Sequence, residues 1–211
     1  EVNSPELPAM DGSSFEFTKK LLEVGLKVQK KPKKILKILK PVSIKDGLRS
    51  IKILPSTELK FTVKIDFSNN LVGKDKYDYT HNTQNFIDEI CYARTFCFSK
   101  DVIKLRATGF GLGGNLHNAI VVKDNKILND NGLRCKREFV KHKILDCIGD
   151  FYMCGLSILG SVYATQPGHE LNNRLIKKIF QNKDNYAILE LDPYHKPVSH
   201  HKNVLNNVNV A

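Results

Sequence analysis

A chain of 211 residues with 41% hydrophobic and 26% charged residues has a globular make-up, not that of a disordered or fibrous protein, and room for one large domain or a domain and a half. No apolar run approaches the roughly 20 residues that span a bilayer, and the stretch Glu1 to Glu6 has neither the basic nor the apolar region of a secretory signal. The net charge of +11 lies on scattered lysines, with one cluster at residues 30–34 and no interleaved aromatic residues, so it points away from nucleic acid and towards anionic nucleotide-sugars or a membrane surface.

Five cysteines, Cys91, Cys97, Cys135, Cys147 and Cys154, are odd in number and form no C-x-x-C pair. They argue against a disulfide framework and for a reducing cytoplasm. The chain opens on Glu1, and a start inside a longer protein is expected. Ser13-Ser14-Phe15-Glu16 has the spacing of a capping box ahead of Phe17, Leu21, Leu22 and Val24, and Gly25 can close that helix. One helix cannot bury such a face alone, so residues 1–30 are expected to be the end of a first domain. Residues 30–34 then read as a linker. Asp46-Gly47 signals a hairpin between residues 35–44 and 48–54. Leu59, Phe61, Val63, Ile65 and Phe67 alternate with polar residues, the pattern of a strand with one wet face. Asn82 starts a helix through Cys91. Shorter pieces follow: a strand at 96–98, a helix at 101–106, a glycine-rich turn at 109–114, and strands at 119–122 and 126–128. A long helix at 136–154, a strand at 158–164 and a helix at 169–180 complete the pattern. No internal repeat is present. The expected fold is α+β, a two-layer sandwich of a mostly antiparallel sheet with packed helices, over 31–205, with 206–211 as a tail.

The strongest chemical signal lies on the long helix. His142, Asp146 and Asp150 are spaced four apart and share one face, while Val140, Ile144, Leu145, Ile148 and Phe151 supply apolar packing. An imidazole and a carboxylate one turn apart can grip a metal ion, with the next carboxylate as an outer partner; a solvated polar stripe is the plain alternative. His169 stands at a helix start, where it can donate to a reacting group or be an ordinary surface histidine. The Thr95 hydroxyl can donate to a developing oxyanion. Gly109, Gly111, Gly113 and Gly114 neither follow a strand nor open a long helix, which fails the context of a dinucleotide fingerprint. His200-His201 reads as a solvated pair in a polar tail.

Six stretches, taken together and in order, carry a resemblance over nearly the whole chain: Pro5–Ser13, Ala93–Phe98, Gly113–Val122, Leu128–Arg134, Glu138–Asp146 and Gly168–Asn173. Their order and spacing resemble the UDP-3-O-acyl-N-acetylglucosamine deacetylase family of lipid A synthesis. The resemblance implies a zinc-dependent hydrolase of the N-acetyl amide, releasing acetate. It implies His142 and Asp146 as two of three zinc ligands, and His169 as the proton donor to the leaving amine. Asp150 would orient that histidine, and Thr95 would help hold the tetrahedral intermediate. Lys143 matches a lysine near the substrate diphosphate. Phe67 and Asp101 resemble residues at the uridine end. Phe96, Val102 and residues 111–121, among them Gly111, Asn115, Ala119 and Val121, match an apolar passage for the acyl chain. Cys97 stands where the family commonly has Gly, and Asn115 where Ser is frequent.

The family's third zinc ligand is a His in a Glu-His motif whose Glu is the general base, and no Glu-His pair occurs in this sequence. The resemblance therefore begins at the end of the family's first domain, and these residues alone are expected neither to complete a zinc site nor to turn over substrate. The full-length parent is expected to be a cytoplasmic monomer without a transmembrane segment, in peripheral contact with the inner membrane at most. The rival reading is a truncated, non-catalytic, basic metal-binding module.

Overall fold

The computed structural model describes Asn3 and residues 7–109 and 111–191. The His200–His201 pair, the 206–211 tail, the end of the 31–205 unit and Pro5-Glu6 lie outside the described residues.

In chain order the elements are α1 (Phe15–Val24), β1 (Lys33–Ile38), β2 (Val42–Asp46), β3 (Arg49–Leu54), β4 (Leu59–Asp66) and β5 (Lys74–Thr80). Next come α2 (Thr83–Asn85), which runs into a π-helical turn at Phe86–Ile90, then β6 (Phe96–Phe98), α3 (Ser99–Ala107), β7 (Ile120–Lys123) and β8 (Lys126–Ile127). The chain continues with α4 (Glu138–Tyr152), β9 (Ser157–Thr165), α5 (His169–Phe180) and β10 (Tyr186–Leu191).

Alternation builds the sheet. On β4, Phe61, Val63 and Ile65 turn inward while Lys64 and Asp66 face solvent. In register with them, Ile51 and Ile53 of β3 and Val162 and Ala164 of β9 share the buried face. Strand β9 is the common member: it is parallel to β1 and β4 and antiparallel to β3. Five of the eight strand pairings among the described residues are antiparallel. At Gly160 of β9, side chains of the neighbouring strands β1 and β3 close in over the backbone. A Cβ there would meet Ile53 Cδ1 at 2.8 Å and Ile38 Cγ1 at 3.0 Å.

Helices α4 and α5 cover one face of the sheet. Phe139, Val140, Ile144, Cys147 and Phe151 of α4 and Leu171, Leu175 and Ile179 of α5 join the sheet residues in one core. The fold is the expected α+β two-layer sandwich. A smaller three-stranded sheet, β6-β7-β8, packs beside it and carries α3.

Three local expectations change. Residues 35–44 are not one strand: Pro41 has no N–H for a ladder, and the chain breaks between Ile38 and Val42 so that β1 pairs with β9 and β10 while β2 pairs with β3. The linker at 30–34 is shorter, because Lys33 already begins β1. The capping box does not close. Ser13 Oγ accepts from Phe15 N at 3.1 Å, and the N-cap, Ser14, makes no side-chain cap. Helix α1 itself buries none of its residues. Its lead is nonetheless fixed: Arg134 pairs with Asp11, Thr95 N donates to Gly12 O at 2.7 Å, and Ser14 donates from N and Oγ to Cys91 O.

Candidate active site

The site is built on α4, and α4 is anchored by a buried charge. Glu138, fully buried in its first turn, accepts from Arg94 Nε at 2.8 Å, from Arg94 N at 3.1 Å and from Arg134 N at 2.6 Å. A carboxylate there also suits the positive end of the helix dipole. The pair fixes the segment 93–95 against α4, and that segment sets the first functional side chain. His142 shares its Nδ1 with Ala93 O at 3.0 Å. A carbonyl only accepts, so Nδ1 carries the proton and the other ring nitrogen is directed elsewhere.

That nitrogen, His142 Nε2, faces Asp146 Oδ1 at 3.2 Å. The second Asp146 oxygen accepts from Lys143 Nζ at 2.9 Å. Burial acts to raise the Asp146 carboxyl, but His142, when its Nε2 carries a proton, and Lys143 outweigh burial and hold it well below the usual carboxylate range. A lone-pair nitrogen and a carboxylate oxygen facing one another need a proton or a cation between them. With the histidine tautomer fixed by a carbonyl, this donor set fits a divalent metal such as zinc. No third His, Cys, Asp or Glu joins the pair among the described residues.

One turn further along α4, about 6 Å up its axis, Asp150 meets the start of α5. Both Asp150 oxygens lie 3.0 Å from His169 Nδ1. The carboxylate therefore accepts a hydrogen bond from Nδ1–H, and Nε2 stays open on a largely exposed ring. The His-Asp-Asp stripe is thus two separate pairs on one helix face rather than a solvated row.

The remaining candidates fall into two groups. Phe96 lies edge-on to Phe139 at 4.9 Å and to His142 at 6.4 Å between ring centroids, with Lys143 Nζ 5.5 Å above it. Phe67 packs against Phe96 at 5.7 Å. Phe67, Phe96 and Lys143 thus stand beside the His142–Asp146 pair. The second group lines an apolar cavity of about 280 Å³ between α3 and the small sheet, to which Val102, Gly111, Asn115, Ala119 and Val121 all contribute, as does Cys97. Burial pushes the Cys97 thiol up, with Asp101 adding to the shift. Phe96 belongs to the first group only, because neighbouring strand residues face opposite ways: Cys97 faces the cavity and Phe96 faces α4. Asp101 sits in the first turn of α3. Thr95, half-buried, precedes β6 and hydrogen-bonds Gly12 and Ile120 through its backbone. Sequence reasoning gave no role to Ala93 or to Asn172. Asn172 had a usable signal, since it follows His169 by three residues on a helix and shares its face.

Together these features define an α+β domain with a metal-fitting pair and a carboxylate-held histidine beside an apolar cavity. Residues 1–181 match the model of the UDP-3-O-acyl N-acetylglycosamine deacetylase family, and the chain belongs to that family. It is 43% identical over 191 residues to the UDP-3-O-acyl-N-acetylglucosamine deacetylase of Campylobacter jejuni subsp. jejuni serotype O:6, covering 90% of this chain and 65% of the relative. The enzyme of the same name from Haemophilus ducreyi is 44% identical over 195 residues, covering 91% and 64%. That of Campylobacter hominis is 43% identical over 191 residues, covering 90% and 65%. The chain thus spans just under two thirds of the length of these relatives.

Proposed function

We propose that the chain supplies the proton-donating and substrate-holding part of a zinc-dependent deacetylase acting in the cytoplasm on UDP-3-O-acyl-N-acetylglucosamine. The observation that carries this reading is the pairing of His142 with Asp146 one turn from the pairing of Asp150 with His169. His142 and Asp146 would hold zinc, with further ligation from outside the described residues. When bound, zinc would supply Lewis acidity towards the amide carbonyl and towards water.

The chain's own residues act on the leaving group, on the oxyanion and on the two ends of the substrate. Asp150 holds the His169 Nδ1 proton, so Nε2, once protonated, can deliver a proton to the departing glucosamine nitrogen. The Thr95 hydroxyl donates to the negative oxygen of the carbonyl under attack. Lys143 and the overall positive charge favour the diphosphate. Phe67 and Asp101 are assigned to the uridine end, and the cavity bounded by Val102, Gly111, Ala119 and Val121 to the acyl chain. In its size and its predominantly apolar lining the cavity suits a hydrocarbon rather than a sugar. Among the described residues no helix is long and apolar enough to cross a membrane. We propose a monomer in peripheral contact with the membrane, and residues 1–30 as part of a separate domain.

The test is metal content and turnover in the whole protein that carries this chain. His142→Ala and Asp146→Ala should each lose most bound zinc by elemental analysis after dialysis. His169→Ala should keep the zinc and lose most acetate release. Full zinc retention in both ligand variants would remove the basis of the assignment. Zinc binding without acetate release in the unmutated protein would favour the non-catalytic metal-binding module, a reading that the two-donor set by itself also suits.

A further inference from the structure

The Asp150 carboxylate has two partners, and the histidine is only one of them. Asn172, fully buried on α5, donates from Nδ2 to Asp150 Oδ2 at 2.7 Å. The same nitrogen lies 3.6 Å from Cys147 Sγ, a weak acceptor. The Asp150 carboxylate can only accept, so the amide cannot be turned round: its nitrogen must face Asp150. Its oxygen is left in the interior without a hydrogen-bond partner among the described residues. A buried orphan acceptor is uncommon. Leucine would fill this space without one. What leucine would not do is hold the carboxylate.

His169 depends on that hold. Its side chain is 69% exposed, and Asp150 is its side-chain partner. Asp150 projects from α4 and His169 from α5, and Asn172 sits in the seam where the two helices pack. We infer that Asn172 is a positioning residue: it clamps Asp150 so that the carboxylate meets His169 Nδ1, which fixes the histidine tautomer and keeps Nε2 available to the reacting group. The inference deepens the proposed function and rests on it for the role of Nε2.

The decisive variant is Asn172→Leu, which keeps the volume and removes the donor. Nitrogen-15 NMR of the His169 ring should show one tautomer, with the proton on Nδ1, in the unmutated protein and a mixture in the variant. The melting temperature should be unchanged or higher, because the orphan acceptor is gone. Deacetylation by the whole protein should show kcat lowered roughly 10–100-fold, the usual loss when the outer partner of a functional group is removed, with KM within about twofold. A purely structural Asn172 gives the opposite pattern: lower thermal stability with an unaltered His169 tautomer. That result would overturn the inference. Asn172→Ser serves where the leucine variant does not fold. It retains a smaller donor and should keep the Nδ1–H tautomer, and a serine variant with mixed tautomers would also overturn the inference. The NMR and melting measurements need no substrate, so a protein that fails to deacetylate contradicts the proposed function without deciding the clamp.

Discussion

At the scale of single residues, charge burial decides where α4 begins. Glu138 has no exposed surface and the Arg94 side chain only 8%. Two charges this deep are held by each other and by backbone donors, and removing one strands the other. Arg94→Leu should therefore cost about 3–5 kcal/mol by chemical denaturation. The double variant Arg94→Leu/Glu138→Leu should recover only part of it, since the stranded charge is gone but the backbone N–H groups of Arg94 and Arg134 lose the acceptor they share. A single variant as stable as the double would show that Glu138 finds other partners. Asp11 makes a milder case. Burial acts to raise its carboxyl, but hydrogen bonds from Arg134 and Ser13 outweigh burial and hold it below the ordinary value. A depressed folded pKa means stability that is present above the unfolded value, about 3.9, and lost as pH falls through the folded one. Asp11→Asn should accordingly flatten the fall in melting temperature below about pH 4, compared with the unmutated chain.

At the scale of elements, Gly12 ties α1 to the site. It has φ +83°, and a Cβ on it would lie 2.1 Å from Asn118 O. Gly12→Ala should thus detach the Asp11–Ser14 lead from Cys91 and Thr95, seen as faster proteolysis within residues 9–30 while the core melts at nearly the same temperature. The cavity makes a second test. Ala119→Phe should lower turnover of long-chain substrates and spare short-chain ones; equal losses would mean that the cavity does not hold the chain. Ala119 is preferred over Gly111 for this, because Gly111 has φ +65° and any side chain there adds backbone strain.

Much of this was legible beforehand. The helices α4 and α5 follow from apolar periodicity, and β4 from strict alternation. Strand β5 was not: Lys74, Asp75, Lys76 and Asp78 leave only Tyr77 and Tyr79 as inward candidates, and the strand exists because β4 offers it an edge. Strand β10 likewise forms against β1. The same division holds at the site. His142, Asp146 and Asp150 show as a helical stripe, whereas the Ala93 carbonyl reaches His142 across 49 residues and follows only from the Arg94–Glu138 anchor.

At the scale of the whole molecule, the charge of +11 creates a field that acts before any contact. In the whole protein that carries this chain, and with the anionic diphosphate substrate proposed above, KM should rise with ionic strength while kcat stays nearly level, because the Debye length shortens from about 10 Å at 0.1 M to about 3 Å at 1 M salt. A KM indifferent to salt would confine electrostatic recognition to close partners such as Lys143. Strand β9 has a different consequence, one of timescale. It is bonded by β3 and β4 along Ser161–Thr165, and its residues Ile158, Val162 and Ala164 are buried. Its amides should exchange with deuterium only when the whole domain opens. Helix α3 buries none of its residues and rests on a three-stranded sheet of short strands, so its amides should exchange through local opening. With exchange rates so divided, one wall of the cavity would part and reclose many times within the lifetime of the folded site while His142, Asp146, Asp150 and His169 stay in place, which is the behaviour that the proposed entry of a long hydrocarbon requires.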